Sequence, residues 1–326
     1  MSHSASSLPS VWQPACSSGS SSLRQKASLL KLSKQNSSSD NMEKPIVIGV
    51  GEFLWDVLPD GKKAGGAPVN FAYHASQHGT EGWAVSAVGQ DALGDELLEV
   101  TAAHNINMAV SRVDYPTGTV QVTLCNGQPN YEICENVAWD YIPLTQESIE
   151  LAKKAKAISF GTLAQRHEVS RETTKALVQA VPEDALKVYD INLRQHFWSK
   201  KLIEASLEMA NVFKINDEEL ENLKPVFGLE DMDTDQTCRY FMDKFSLRML
   251  VLTAGDKFSS IYYGNEKSTI ETPRVEVVDA VGAGDAFSGS LIGSILTGKS
   301  VKEAHKDAVE TAAYVCTQAG AWTPAR

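Results

Sequence analysis

Short apolar runs recur along most of this chain, each closing on small or polar residues before a stretch of helical periodicity. Residues 46–51, 84–89, 157–161, 187–192, 212–216 and 249–253 are too short for helices and too continuously apolar for half-exposed strands. They predict strands buried on both faces. Helices are expected between them: one through Ala75, one from Asp91 to about His104, and others over 144–155, 170–181, 198–210 and 301–317. Strands alternating with helices imply a mostly parallel sheet covered on both sides, an α/β fold with three layers. Ligands of such sheets bind at the carboxyl ends of the strands. The polar residues just past those ends should therefore share one crevice: Arg166 after Gly161-Thr162, then Asp190, Asn192 and Arg194, Asn216 and Glu219, and Thr253 and Gly255.

Residues 110–142 follow a different rule. Val120, Val122 and Leu124 alternate with Gln121 and Thr123, Asn126-Gly127 is a hairpin signal, and Tyr131-Glu132-Ile133 returns. This predicts a strand layer apart from the βα units. Exposed strand faces need a cover, so self-association is expected there unless the segment is a plain surface hairpin.

Residues 1–39 break the pattern: Ser-rich, without Asp or Glu, carrying Arg24, Lys26, Lys31 and Lys34. Such a segment cannot pack a core. A disordered leader over residues 1–43 is expected, whether an organelle transit peptide, an artificial leader or a stretch ahead of a start at Met42, and residues 44–326 are expected to hold the fold. The formal charge of −11 disfavours nucleic acid and anionic membranes as partners. The five cysteines are scattered without CxxC spacing, which fits reduced thiols in a cytoplasmic compartment, organelle import remaining open. Cys125 and Cys134 are candidates for pairing across the hairpin, with packing as the alternative.

The chemistry concentrates in Val277-Val278-Asp279-Ala280-Val281-Gly282-Ala283-Gly284-Asp285-Ala286-Phe287. A short strand over 275–278 breaks at two glycines, and a helix starting at Asp285 carries Phe287, Leu291 and Ile295 on one stripe. A helix N-terminus reached through glycines offers free N–H groups to an anion. Asp285 is either the helix cap or the base of a phosphoryl transfer, with the N–H groups of Gly282, Ala283 and Gly284 as anion hole. The helix dipole should keep such a carboxylate ionised and weakly basic. Far upstream, Asp56 and Asn70 flank Gly65-Gly66 and can converge on a ligand, or serve as loop residue, turn and helix cap.

Gly282-Ala283-Gly284-Asp285 resembles the C-terminal signature of the ribokinase (PfkB-type) family of sugar kinases. Gly51-Glu52-x-x-x-Asp56 followed by Gly65-Gly66-x-x-x-Asn70 resembles the N-terminal half of that signature. The resemblance implies a ribokinase-like fold with a small β lid, formed here by about 54–66 and 110–142, that covers the sugar and often makes a homodimer contact. It implies ATP and Mg²⁺ and no nucleic acid or membrane partner. Asp56, Gly65, Gly66, Asn70 and Arg166 would bind the sugar. Asn192, Arg194, Asn216, Glu219, Thr253, Gly255 and Gly320 would line the nucleotide site, Glu219 reaching Mg²⁺ through water. Asp279 and the backbone of Val281 would hold a monovalent cation, K⁺. The wording of residues 51–59, 131–141 and 160–166 is most similar to bacterial-type fructokinases, which implies D-fructose as acceptor; ribose, 2-keto-3-deoxygluconate, nucleosides and a non-catalytic sugar-binding role stay open.

A literal P-loop pattern at Gly293-Ser294-Ile295-Leu296-Thr297-Gly298-Lys299-Ser300 falls at the end of the same helix, where carbonyls rather than N–H groups are free. It is rejected. Gly289 and Gly293 are expected to let that helix pack closely on the sheet.

Overall fold

The computed structural model describes residues 43–58, 61–125 and 128–324, and the backbone alone at 122–125 and 128–131. The leader over residues 1–42 and the Asn126-Gly127 turn lie outside the described residues.

Among the described residues, nine strands form one sheet in the order β13-β12-β11-β10-β9-β8-β1-β4-β5. Seven of these run parallel: β1 (Ile46–Val50), β4 (Glu81–Gly89), β5 (Asn107–Val113), β8 (Ala157–Gly161), β9 (Leu186–Asp190), β10 (Val212–Asn216) and β11 (Met249–Ala254). An antiparallel edge follows, β12 (Phe258–Tyr263) and β13 (Glu266–Glu271). Alternate side chains of the parallel strands serve opposite faces, as a period of two requires. Val47, Val212, Met249 and Val251 pack on α1 (Ala67–Gln77), α8 (Ala283–Leu296) and α9 (Val301–Cys316). Ile48, Phe213, Leu250 and Leu252 pack on the other side, against α3 (Gln146–Lys154), α4 (Glu168–Ala180), α5 (Lys200–Met209), α6 (Asp217–Phe227) and α7 (Thr234–Lys244). This is the layered α/β arrangement expected.

A separate four-stranded sheet, β3-β2-β6-β7, joins β2 (Leu54–Leu58), β3 (Gly61–Gly65), β6 (Gly118–Cys125) and β7 (Gln128–Ile133). Phe53 and Trp55 bury its base against α1, β4 and α2 (Ala92–Ala103). The lid is smaller than the alternation implies. Residues 107–113 belong to the main sheet, in parallel register with β4, and residues 134–142 are coil and one 3-10 turn. Cys134 lies opposite Thr119 and Cys125 opposite Gln128, so the two cysteines sit at different ends of the hairpin and Cys134 is a free thiol.

Two local expectations fail. Residues 275–278 are not a strand. They run as a loop with Val277 and Val278 more than 60% exposed, tied down where the N–H groups of Val278 and Asp279 donate to the carbonyl of Cys316. Gly289 and Gly293 face α1 rather than the sheet: a Cβ on Gly289 would lie 2.5 Å from the Phe71 carbonyl, and one on Gly293 2.8 Å from that of Ala75. The glycines thus let two helices touch backbone to backbone, fixing α8 against α1. The P-loop pattern ends this helix, with Gly298 in a left-handed turn.

Candidate active site

The helix α8 starts at Ala283, two residues earlier than the pattern implies, with Gly282 as cap in the left-handed region (φ 80°). A Cβ there would come within 2.6 Å of the Ala321 side chain, so only glycine fits. Asp285 is therefore a first-turn residue and not the cap. Ala283 spends its N–H on the Ala280 carbonyl (3.3 Å), whereas those of Gly282, Gly284 and Asp285 meet no acceptor among the described residues. One carboxylate and a set of free N–H groups share a single helical turn.

The Asp285 carboxylate accepts a hydrogen bond from the Asn70 amide at 2.8 Å. Burial, followed by the like charge of Asp190, pushes its pKa up to about 7; the Asn70 bond and Lys214 offset only part of this, and Glu52 adds to it. The expectation of a weak base fails for that reason. Desolvation and the Asp190 charge dominate, which places Asp285 in the range where a general base works best.

Asn70 is the fourth residue of α1, its N–H donating to the Gly66 carbonyl, so it is not a cap. Its side-chain oxygen accepts from the Trp322 indole at 2.7 Å, which turns the amide nitrogen toward Asp285. One turn on, His74 donates from Nε2 to the Ala321 carbonyl (2.7 Å) and buries Nδ1 without a partner among the described residues. Burial holds this imidazole neutral, its pKa lowered to about 4. The C-terminal segment therefore orients Asn70 from behind.

A crevice opens at the carboxyl ends of β1, β8 and β9, beside the β1/β8 boundary where the connections diverge to either side. Glu52, Pro68, Thr162, Asp190, Asn192 and Asp285 line it. Glu52 stands in the Gly51-Glu52-x-x-x-Asp56 motif but carries no assigned role there, and Lys214 lies outside every motif. Glu52 is buried, with Oε2 unpartnered among the described residues, and desolvation raises its pKa. Lys214 is buried under Gly284, with a 3.0 Å ion pair to Asp190. Burial disfavours its charge, but Asp190, Glu219 and Asp285 outweigh this and raise its pKa. A lone lysine inside Val212-Phe213-Lys214-Ile215 was the available signal.

Gly66, in the left-handed region (φ 128°), passes so close to Glu52 that a Cβ would lie 2.1 Å from its carbonyl; Gly65 faces Asp56 with ordinary clearance. Asp56 sits on the lid strand β2, opposite Lys63 of β3. Burial carries its pKa up to about 6, with Lys63 opposing and Asp279 assisting. Lys63 extends from the lid to Asp279 and pairs with it at 2.7 Å. The other partners of Asp279 are the N–H groups of Val281 (3.0 Å) and Gly320 (3.2 Å). Three nitrogen donors, one of them a cation, surround this carboxylate. With the Lys63 ammonium already at Oδ2, a potassium ion on the same carboxylate would meet a like charge, and the site as built does not fit it.

Arg166 is committed to the lid's root: bidentate to Asp140 (2.7 and 2.9 Å), bonded to the Cys134 carbonyl and stacked on Trp139 and Phe197. Only Nη1 remains without a partner among the described residues, and Arg166 does not line the crevice. Arg194 is exposed, its positive charge felt by Glu52 and Asp56. Asn216 and Glu219 form a reciprocal capping box on α6, and the other Glu219 oxygen accepts from the Leu193 N–H. Each oxygen keeps a lone pair, enough for the water-mediated approach that Mg²⁺ accepts. Thr253 pairs in register with Asn216 at the strand ends, and Gly255 (φ 53°) turns β11 into β12; neither lines the crevice.

The family model of pfkB family carbohydrate kinases matches residues 60–326. The chain belongs to that family. The kinase is 27% identical over 302 residues to a putative sugar kinase from Pyrococcus horikoshii (86% of this chain, 93% of the relative). It is 29% identical over 288 residues to a probable fructokinase-2 from Arabidopsis thaliana (82% and 86%). The Pyrococcus protein solved in complex with ATP superposes with a TM-score of 0.73 at 26% identity, covering 86% of this kinase and 95% of that chain. Vibrio cholerae fructokinase, solved with fructose, ADP and calcium ion, gives a TM-score of 0.73 at 22% identity, covering 87% and 96%. The kinase thus has the ribokinase-like fold of its structural neighbours, lid included.

Proposed function

We propose that this carbohydrate kinase transfers the γ-phosphoryl of ATP to a hydroxyl of D-fructose, giving fructose 6-phosphate. The observation that carries the reading is the shared turn of Gly282, Gly284 and Asp285: free N–H groups beside a buried carboxylate with a pKa raised to about 7, which itself lines the crevice. Asp285 takes the proton of the attacking hydroxyl as its oxygen bonds to the γ-phosphorus and the bond to the bridging oxygen breaks, leaving ADP. The N–H groups stabilise negative charge on the transferring phosphoryl, with Lys214 beneath them adding a buried positive charge. Asp56, Asn70 and the Gly65-Gly66 strand end orient the sugar, and Glu52 offers a further acceptor for a hydroxyl. Glu219 would hold Mg²⁺ through water, and the ion would supply charge neutralisation on the triphosphate.

Fructose is supported by the fructokinase relative and by the fructokinase-like wording of residues 51–59 and 131–141. Sugar-dependent ADP release over fructose, ribose, 2-keto-3-deoxygluconate and adenosine tests the assignment. Fructose should lead in kcat/KM. Release with another member alone reassigns the substrate, and binding without release marks a regulator. Strands β3 and β7 are the edges of the lid sheet, which supports a homodimer through the lid; a monomer by light scattering at micromolar concentration removes that part.

A further inference from the structure

Asp279 opens the loop that ends in the free N–H groups of Gly282 and Gly284, so whatever holds its carboxylate holds the anion site. The arrangement around it is filled from within. Lys63 Nζ lies 2.7 Å from Oδ2, which also accepts the Gly320 N–H, while Oδ1 accepts the Val281 N–H. Asp279 is nearly buried, its side chain 13% exposed, and Lys63 half-covered at 42%. Burial alone would raise the Asp279 pKa, but Lys63 and the two N–H groups outweigh it and hold it below the usual carboxylate range, so the carboxylate is ionised.

Lys63 comes from β3, a lid strand, where it faces Asp56 across the β2–β3 register. The ammonium pairs with the acid of the anion loop, and its charge is felt by Asp56 of the lid. An ammonium and a free monovalent cation cannot share a single carboxylate without repulsion, and the ammonium is tethered while the free ion pays for its own capture.

We propose that Lys63 is the resident cation of the 279–282 loop: its ammonium fills the role at Asp279 that the family resemblance gives to a potassium ion, and by doing so couples the lid to the phosphate-binding turn. The catalytic consequence rests on the kinase reading above; the occupancy of Asp279 does not. Lys63 is thus a positioning residue, acting on the phosphoryl through the loop it anchors.

The test compares wild type with Lys63→Met in potassium chloride and in tetramethylammonium chloride at equal ionic strength. The thermal midpoint of the ligand-free protein and the kcat and KM for ATP and fructose are read in each salt. Wild type should show the same midpoint and the same kcat, within about twofold, in both salts. Lys63→Met should lose about tenfold in kcat in tetramethylammonium, the scale of a mispositioned site, and regain most of it in potassium, with a midpoint that rises with potassium only in the variant. Several-fold activation of wild type by potassium overturns the proposal. So does a variant that matches wild type in tetramethylammonium, or one slow in both salts with no potassium effect on rate or midpoint. Should wild type phosphorylate no sugar, the kinase assignment falls on that result, while the midpoints still decide what occupies Asp279.

Discussion

Asn70 donates to Asp285 at 2.8 Å across 215 positions of sequence, so the two halves of the motif meet in one hydrogen bond. That bond lowers the Asp285 pKa against the burial and the Asp190 charge that raise it. Asn70→Ala should therefore push the acidic limb of kcat/KM against pH to higher pH than in wild type, where it falls near 7. A limb that stays in place or moves to lower pH contradicts the role given to the amide.

The orientation of that amide depends on Trp322, whose indole N–H donates to the Asn70 oxygen. Trp322→Phe keeps most of the ring and leaves the oxygen unpaired, a loss worth about 1–3 kcal/mol when buried. The expected result is a kcat drop of about tenfold or more, larger than the change in KM for ATP. Steady-state kinetics on the purified variant decides it.

Lys214 and Asp190 are each under 10% exposed and 3.0 Å apart. Lys214→Met strands a carboxylate beside Asp285, and breaking such a pair costs about 3–5 kcal/mol. Urea denaturation should register that loss, and adding Asp190→Asn should recover part of it. Equal stability of single and double variants would mean the pair is not coupled.

His74 is held neutral, first by burial, with a pKa lowered to about 4. Between pH 6.5 and 4 the unfolded chain binds a proton there that the native state refuses, so this residue's share of stability is lost as pH falls through that window. His305, likewise lowered to about 4 by burial, has the same sign. Asp285 and Asp56, with raised values, act oppositely, but their contribution is common to wild type and variant. In His74→Gln, the wild-type minus variant difference in unfolding free energy should therefore shrink toward pH 4.5 and widen toward pH 7. A pH-independent difference contradicts it.

The parallel strands were legible because a strand buried on both faces leaves a continuous apolar run, as in Ile46-Val47-Ile48 and Met249-Leu250-Val251-Leu252. The β12–β13 edge was not, because buried Ser259 and Ser260 break the apolar run of β12 and Glu266–Glu271 is largely polar. The valines at 275–278 misled in the opposite sense: they are apolar but have no strand partner, and the loop leaves them exposed. The residues of the site were readable where glycine spacing marks a turn, as at Gly282-Ala283-Gly284-Asp285. Its electrostatics were not, since the basicity of Asp285 comes from burial and from Asp190, set only by the packed sheet. Trp322 and His74 act through contacts across 252 and 247 positions, which no local pattern carries.

The central claim is that Asp285 takes the proton from a sugar hydroxyl. Single-turnover phosphorylation of fructose by Asp285→Asn, alongside ATP binding by calorimetry, tests it most directly. The account predicts a chemical step slower by about a thousandfold or more with ATP affinity within about threefold of wild type. A variant that phosphorylates fructose at near wild-type rate would contradict it.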